Sequence, residues 1–404
     1  LASSPRPSPR LARRGRKFSP REMKDKIQNG WRTVKLGEVC FQDRQIVEPR
    51  SVKAQRLPYL SLEHIASGSG EILKNELLAT EDEGRSSTFA FDHRHVLYGK
   101  LRPYLNKVAL PDFAGRCTTE LIPLLPSAKA DREFLALVLR RQETMSVAMQ
   151  DKTGSRMPRA NMDSLLKMEI ALPPIDQQRR IAGKLREQMA AVERARAAVE
   201  QQLDAAQKLP TALLRVVFTS PAAQRWPRKS FGELVKNFDG VRIPLKLADR
   251  NKRKGEYPYY GASGIIDQID DFLFDGEFLL IGEDGANLLN RSTPIAFRAK
   301  GKFWVNNHAH VIQPKAGIRI EWLEHFFAVT DLKPFVTGSA QPKLAQGNLN
   351  EIPAPVPPTD EQNNLVARLE TELSAAHSLC ESLSARLKEL QLLPAALLRQ
   401  AFQN

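Results

Sequence analysis

Apolar side chains recur at three- and four-residue steps along two widely separated stretches of the chain. In the first they fall at Ile181, Leu185, Met189, Val192, Val199, Leu203, Ala206 and Leu209. In the second they fall at Leu365, Leu369, Leu373, Ala376, Leu379, Leu383, Leu387, Leu390 and Leu393. That period puts one narrow apolar stripe along one face of a helix. Asp176 and Asp360, each shortly after a Pro-Pro pair, are expected to cap these helices, because a carboxylate there accepts otherwise unpaired N–H groups. Helices are thus predicted over 176–209 and 360–393, each about 50 Å long. Neither stripe finds a partner within its own half. The two helices are therefore expected to pair as an antiparallel coiled coil, through Ile181, Leu185, Val192, Val199 and Leu203 against Leu365, Leu369, Leu379, Leu383 and Leu390. Pro210 and Pro394, which lack an N–H donor, are expected to kink or break them before a final short helix.

Elsewhere the apolar runs have strand length: Leu57–Leu60, His95–Tyr98, Glu120–Leu125, Glu277–Ile281, Pro294–Phe297 and His310–Ile312. Helical periods return at 131–149 and 320–332. The expected fold class is α/β (α+β): two mixed α/β domains separated by a long antiparallel two-helix coiled coil, with pseudo-two-fold symmetry.

That symmetry is written in the sequence. At an offset of 184, residues 153–218 match 337–402 at 20 of 66 positions, among them Thr153-Gly154-Ser155, Pro173-Pro174, Asp176, Gln178, Leu209-Pro210, Ala212-Leu213-Leu214-Arg215 and Phe218. Trp31 and Leu36-Gly37-Glu38-Val39 correspond to Trp226 and Phe231-Gly232-Glu233-Leu234 at an offset of 195. The stretches between these anchors share almost nothing else that the sequence shows. The expected parts are a first variable domain over 23–155, a first constant segment over 156–225, a second variable domain over 226–340 and a second constant segment over 341–404. Similar frames around dissimilar middles describe one scaffold carrying two different recognition domains.

Composition refines this picture without changing it. Apolar residues at 42% and charged residues at 26% suit a soluble globular chain, and no run approaches the length of a membrane span. The net charge is +14, of which residues 1–22 contribute +6, so this Pro/Ser/Arg-rich segment is expected to be a disordered basic tail or a translated leader upstream of Met23. Cys40, Cys117 and Cys380 show no zinc or redox spacing and suit free thiols in a cytoplasmic protein.

Catalytic signatures are missing. No phosphate-binding Gly-x-x-x-x-Gly-Lys-Ser/Thr occurs, and no Asn/Asp-Pro-Pro-Tyr of amino-methyltransferases. His93-x-His95 and His308-x-His310 put imidazoles on one strand face without an evident third ligand, so no metal site is expected.

Binding chemistry is present, in stretches that combine cations for phosphates, amides and guanidinium groups for base edges, and aromatic rings for sugars. The first domain offers Lys100, Arg102, Tyr104, Asn106 and Lys107, then Lys152, Arg156 and Arg159. The second offers Lys252, Arg253 and Lys254, the run Tyr257, Tyr259, Tyr260 and Ser263, and then Asn287, Asn306, Asn307, His308, Gln341 and Lys343. Charge is modest over either variable domain, so affinity for DNA would rest on local patches and base readout.

With these residues in view, the chain resembles the specificity (S) subunit of type I restriction–modification systems over 23–404. The resemblance is carried by Leu97-Tyr98-Gly99-Lys100-Leu101-Arg102-Pro103-Tyr104-Leu105-Asn106-Lys107, by Tyr257-Pro258-Tyr259-Tyr260-Gly261-Ala262-Ser263-Gly264 and by Trp304-Val305-Asn306-Asn307-His308-Ala309-His310. The Pro-Pro-x-Asp-x-Gln and Leu-Pro-x-Ala-Leu-Leu-Arg-x-x-Phe repeats add to it. The first copy departs at Arg156-Met157-Pro158-Arg159, where the second has Ala340-Gln341-Pro342-Lys343. The resemblance implies a noncatalytic subunit whose two target-recognition domains each bind half of a bipartite site on double-stranded DNA. It further implies a coiled coil that fixes the spacer and docks two methyltransferase subunits, with two restriction subunits added. S-adenosylmethionine, ATP and Mg2+ are then expected on those partners and no cofactor in this chain. A standalone methyltransferase or nuclease, and a coiled-coil scaffold unrelated to DNA, are the competing readings.

Overall fold

Both apolar stripes fold into helices longer than expected, Ile175–Phe218 and Thr359–Ala401. In the computed structural model, residues 30–73, 86–150, 156–338 and 341–402 are described. The basic segment 1–22 and Lys152 lie outside the described residues. The chain divides into two units, residues 1–195 with 390–404, and residues 196–389. Each unit thus contains the start of one long helix and the end of the other. Among the described residues, no helix is long and apolar enough to cross a membrane.

In the first unit, Ile181, Ala182, Leu185 and Met189 near the start of the first long helix share a core with Leu397, Leu398, Ala401 and Phe402 at the end of the second. Phe402 packs on Phe134 of the helix Arg132–Arg140, ring centroids 5.4 Å apart, and the Arg141 guanidinium lies over it at 4.5 Å. In the second unit, Leu214 and Val217 share a core with Val366 and Leu369. There Phe218 packs on Trp322 of the helix Ile320–Val329 at 4.5 Å. One helix starts where the other ends, so the pair runs antiparallel.

The first unit carries a four-stranded sheet in the order Cys40–Gln42, Leu121–Pro126, Val96–Gly99, Val108–Ala109. A second has the order Ile46–Val47, Thr88–Phe91, Gly115–Cys117, Tyr59–Leu60. The second unit carries a six-stranded sheet in the order Val235–Asn237, Ala309–Pro314, Phe274–Gly282, Ala296–Val305, Lys254–Gly261, Gly264–Ile269. The pairings expose a kinship that the sequences of the middles hide. Tyr59–Leu60 runs parallel to Arg116-Cys117, as Tyr259-Tyr260 runs parallel to Trp304-Val305. An arginine guanidinium covers each leading tyrosine, Arg116 over Tyr59 at 4.8 Å and Arg250 over Tyr259 at 4.9 Å.

Several repeated residues have a plain structural purpose. Gln178 and Gln362 are fully buried. The Gln178 side-chain oxygen accepts from the Asp131 N–H at 2.7 Å, and its amide donates to the carbonyls of Lys129 and Pro173. Gln362 accepts from the Arg319 N–H and donates to Gly317 and Pro357 in the same way. Each glutamine fastens the start of a long helix to the start of the helix packed beside it, and satisfies buried backbone groups that water cannot reach. Gly37 and Gly232 are glycines because a Cβ there would come within 3.2 Å of Leu166 O and 3.0 Å of the Asn350 side chain.

Three expectations about the helices need correction. Asp176 and Asp360 are not caps: the helices begin one residue earlier, which places both carboxylates inside the first turn, facing the positive end of the helix dipole. Pro210 and Pro394 do not end the helices, which remain helical through both. Each proline costs one backbone hydrogen bond, and burial of Leu214 and Val217 beyond Pro210, and of Leu397 and Leu398 beyond Pro394, offsets it. Leu379 is 44% exposed and leaves the seam. Alternating steps of four and three from Leu369 reach Leu373, Ala376, Cys380 and Leu383, so Cys380 takes the inward place. Of the other expected seam residues, Leu185, Val199, Leu369 and Leu383 are buried, and Ile181, Val192, Leu203, Leu365 and Leu390 are half-buried.

Candidate nucleic-acid interface

At the end of the central strand of each unit, the backbone forms the same clamp. In the first unit the Lys100 N–H donates to Glu120 O at 2.9 Å, the Lys100 carbonyl accepts from Ala160 N–H at 2.8 Å, and Arg102 N–H donates to Pro158 O at 2.7 Å. In the second unit the matching bonds are Glu283 N–H to His308 O at 2.9 Å, Leu344 N–H to Glu283 O at 2.7 Å, and Gly285 N–H to Pro342 O at 2.9 Å. Bridges Leu101 to Arg159 and Asp284 to Lys343 complete the pair. Thr118 N–H donates to Leu60 O, and Asn306 N–H to Tyr260 O, so the parallel strand delivers its following loop to the same place. Position by position, Lys100, Arg102, Thr118, Glu120 and Arg159 stand where Glu283, Gly285, Asn306, His308 and Lys343 stand.

The side chains on this shared backbone differ in sign. In the first unit Glu120 is gripped by Arg159, with bonds of 3.0 and 2.9 Å, and lies 3.9 Å from Lys100. In the second, the carboxylate is Glu283, held by Arg242 at 2.7 Å and Lys343 at 3.2 Å. Arg242 also lies 3.5 Å from Asp239 and donates to the Ala309 carbonyl, while His310 contacts Asp239 at 2.6 Å and the Leu344 carbonyl at 2.8 Å. Burial pushes the Asp239 carboxyl up, but its bonds to His310, Val311 and Asn237 outweigh that and hold it below the usual carboxylate range. Asp239, Glu283 and His310 offer atoms within 4.8 Å of one another, as a metal site would. Arg242 and Lys343 already neutralise those carboxylates, so the geometry is that of an ion-pair network. Above it His308 pairs with Asp284 at 2.8 Å on the exposed side.

The sequence-predicted residues divide by what their side chains do. In the first unit Lys100, Arg102 and Arg159 meet on the clamp, with Tyr104 half-exposed beside them and Arg156 exposed at the edge of the described segment. Two others are structural. The Lys107 ammonium donates to the Leu62 carbonyl at 2.7 Å, and burial lowers its pKa; the Asn106 amide donates to the Arg140 carbonyl at 2.8 Å. Lys107→Ala is therefore expected to lower the stability of the first unit by about 2 kcal/mol, while leaving its sequence preference intact. Thermal unfolding together with selection from random duplexes would check both halves of that statement.

In the second unit Asn307, His308, Gln341 and Lys343 come together on the clamp, and exposed Ser263 sits at the tip of the neighbouring hairpin. Lys252 is exposed. Arg253 is tied to Asp270 and Asp271 and covers Trp304 at 5.0 Å; Lys254 is tied to Asp267 at 2.7 Å. Tyr259 is fully buried and its hydroxyl accepts from Leu245 N–H, which removes it from any contact surface. Tyr257 packs on Phe272, and Tyr260 on Phe297 and Phe303 with its hydroxyl pKa raised by burial. Asn287 is used by its own loop, accepting from Ser292 and Thr293, and buried Asn306 accepts from His308 N–H. Glu120, Asp239 and Arg242 are the site residues with charged roles that sequence reasoning missed. The Pro-Tyr pairs at 58–59 and 258–259, an offset of 200, and Pro158 with Pro342, at the offset of 184, are sequence signals that align the two clamps.

Comparison with known proteins agrees with this geometry. Residues 28–201 and 224–388 match the family described as "Type I restriction modification DNA specificity domain". A Haemophilus influenzae chain carrying the name type I restriction enzyme specificity subunit S.HindORF215P is 37% identical over 143 residues, 35% of this chain and 36% of that protein. The type I restriction enzyme EcoprrI specificity subunit of Escherichia coli is 33% identical over 173 residues, 40% of this chain and 42% of that protein. These matches thus span well under half the length of either relative. Among solved structures, the HsdS subunit from Thermoanaerobacter tengcongensis superposes with a TM-score of 0.67 at 21% identity, covering 94% of this chain and 98% of that one. A chain from "Structural basis underlying complex assembly and conformational transition of the type I R-M system" gives a TM-score of 0.73, also at 21% identity, covering 93% and 98%. At that identity the likeness shows the fold alone.

Proposed function

This chain belongs to the type I restriction modification DNA specificity domain family, and from that membership we propose that its two units read the two unlike halves of an asymmetric bipartite DNA site. The observation that carries the proposal is the clamp: one backbone arrangement, present once in each unit, bearing different side chains in the two copies. A repeated frame with divergent side chains is what two half-sites of different sequence require. The chain reads and positions; it does not catalyse. The antiparallel helix pair sets the distance between half-sites and docks two adenine-N6 methyltransferase subunits, to which two restriction subunits add. S-adenosylmethionine would supply the methyl group on the methyltransferase subunits, and ATP and Mg2+ would serve the restriction subunits, in the cytoplasm. Adenines are flipped out of the duplex for that chemistry, because the reacting nitrogen lies within the stacked pairs.

The spacer tests the reading. One heptad inserted at matching points of both long helices adds about 10 Å, the rise of roughly three base pairs. Methylome sequencing of cells carrying the lengthened chain should then show both half-sites unchanged and the spacer longer by about three base pairs. An unaltered spacer would remove the helix pair from that role.

A further inference from the structure

One residue of the first clamp stands apart from its neighbours. Arg102 adopts φ 51° and ψ 62°, the left-handed region that favours glycine. The equivalent position of the second unit is a glycine, Gly285, at φ 104°. The clamp therefore closes around a glycine and gains nothing in its own geometry from a larger residue. A Cβ added at Gly285 would meet no atom within 4 Å, so a side chain at this place projects into open space. The backbone around Arg102 is held on both sides, its N–H by Pro158 O at 2.7 Å and its carbonyl by Leu105 N–H at 2.9 Å. Its guanidinium is exposed and has no partner among the described residues. Among its neighbours, Arg159 pairs with Glu120, Lys107 donates to Leu62 and Asn106 to Arg140, while Lys100 stands 3.9 Å from Glu120. A strained position filled by a free, five-donor planar group is explained by what lies outside the chain, since such strain persists where function requires it.

Resting on the reading of each unit as a half-site reader, we propose that Arg102 is the specificity-determining residue of the first unit and that it recognises a guanine. The argument is one of shape. A guanidinium presents two parallel N–H donors to O6 and N7 of guanine in the major groove, the edge that distinguishes this base from the other three. Arg159 and Lys100, neutralised in part by Glu120, then contact phosphate and set the register of the loop. The second unit has no side chain at the equivalent place and reads its half-site through Asn307, His308 and Gln341 instead.

The test is selection of bound duplexes from a randomised pool by the full chain assembled with its methyltransferase subunits. Wild type should return a bipartite site with a guanine in the first half that is preferred roughly 10- to 100-fold over other bases. Arg102→Gly should lose that preference at this single base pair and keep every base of the second half-site. Replacing that guanine by 7-deazaguanine, which lacks the N7 acceptor, should weaken wild type and leave Arg102→Gly unaffected. Arg102→Lys, which keeps the charge without the planar fork, should retain overall affinity and still lose the guanine preference. A first half-site unchanged in Arg102→Gly overturns the assignment of Arg102 while leaving the two-reader proposal standing. A wild-type selection with no bipartite site overturns the two-reader proposal itself.

Discussion

Replacing Arg242 by alanine is expected to destabilise the second unit by about 3–5 kcal/mol, the usual cost of removing one partner from a buried charge network. Arg242 is 12% exposed in its side chain and faces Asp239 and Glu283, 8% and 11% exposed. Its loss leaves two carboxylates desolvated with only His310 and the more distant Lys343 for compensation. It also frees the Ala309 carbonyl, to which Arg242 donates at 2.7 Å. The loop bearing Glu283 and Asp284 then keeps its backbone bonds and its pairs with Lys343 and His308 but loses its buried anchor. Calorimetry should show the transition of the second unit falling by about 10 °C, with half-site selection lost on that side and kept on the other. Arg242→Lys should recover only part of the loss, because an ammonium is a single point and lacks the planar fork whose separate nitrogens reach Glu283, Ala309 and Asp239. A shift of only a degree or two would mean that the network is solvated and contributes little.

A chain cut after Glu389 is expected to lose folding in the first unit, although every residue removed lies at the far end of the sequence. Residues 390–404 belong to that unit, and Leu397, Leu398, Ala401 and Phe402 complete its core against Ile181, Ala182, Leu185 and Phe134. Removing four apolar side chains that each bury part of their surface forfeits on the order of 5 kcal/mol or more, which is comparable to the whole stability of an ordinary domain. Limited proteolysis should digest residues 30–195 of the cut chain rapidly while sparing the second unit. Protection of that segment in the cut chain would refute the dependence.

The helices were legible because a single periodic stripe needs no knowledge of its partner. Even there, one inward place went to Cys380 rather than Leu379, since leucine spacing alone cannot settle which of two adjacent residues follows the four–three alternation. The duplicated anchors were legible too, because Gln178 and Gln362 act through their side chains and so left the same letter at both places. The clamp was not. It is built from backbone bonds, which constrain no side chain, so Lys100 came to stand where Glu283 stands and Glu120 where His308 stands. The tyrosine run misled for a related reason. Strand periodicity places alternate residues on opposite faces, and the face carrying Tyr259 turns inward beneath Arg250. Asn106 and Lys107 carry chemistry suited to DNA, yet the carbonyls of Arg140, at a helix end, and of Leu62 consume it.

The exchange of helix ends between units also bears on how the protein is made. Ribosomes release the segment up to residue 195 long before residue 390 is joined, a delay of about 10–40 s at bacterial rates of synthesis. Throughout that interval the nascent first unit lacks part of its interior and presents Ile181, Leu185 and Phe134 to water. Such a polypeptide is a natural client for a chaperone, and its interior closes only once Leu397, Leu398, Ala401 and Phe402 have been made.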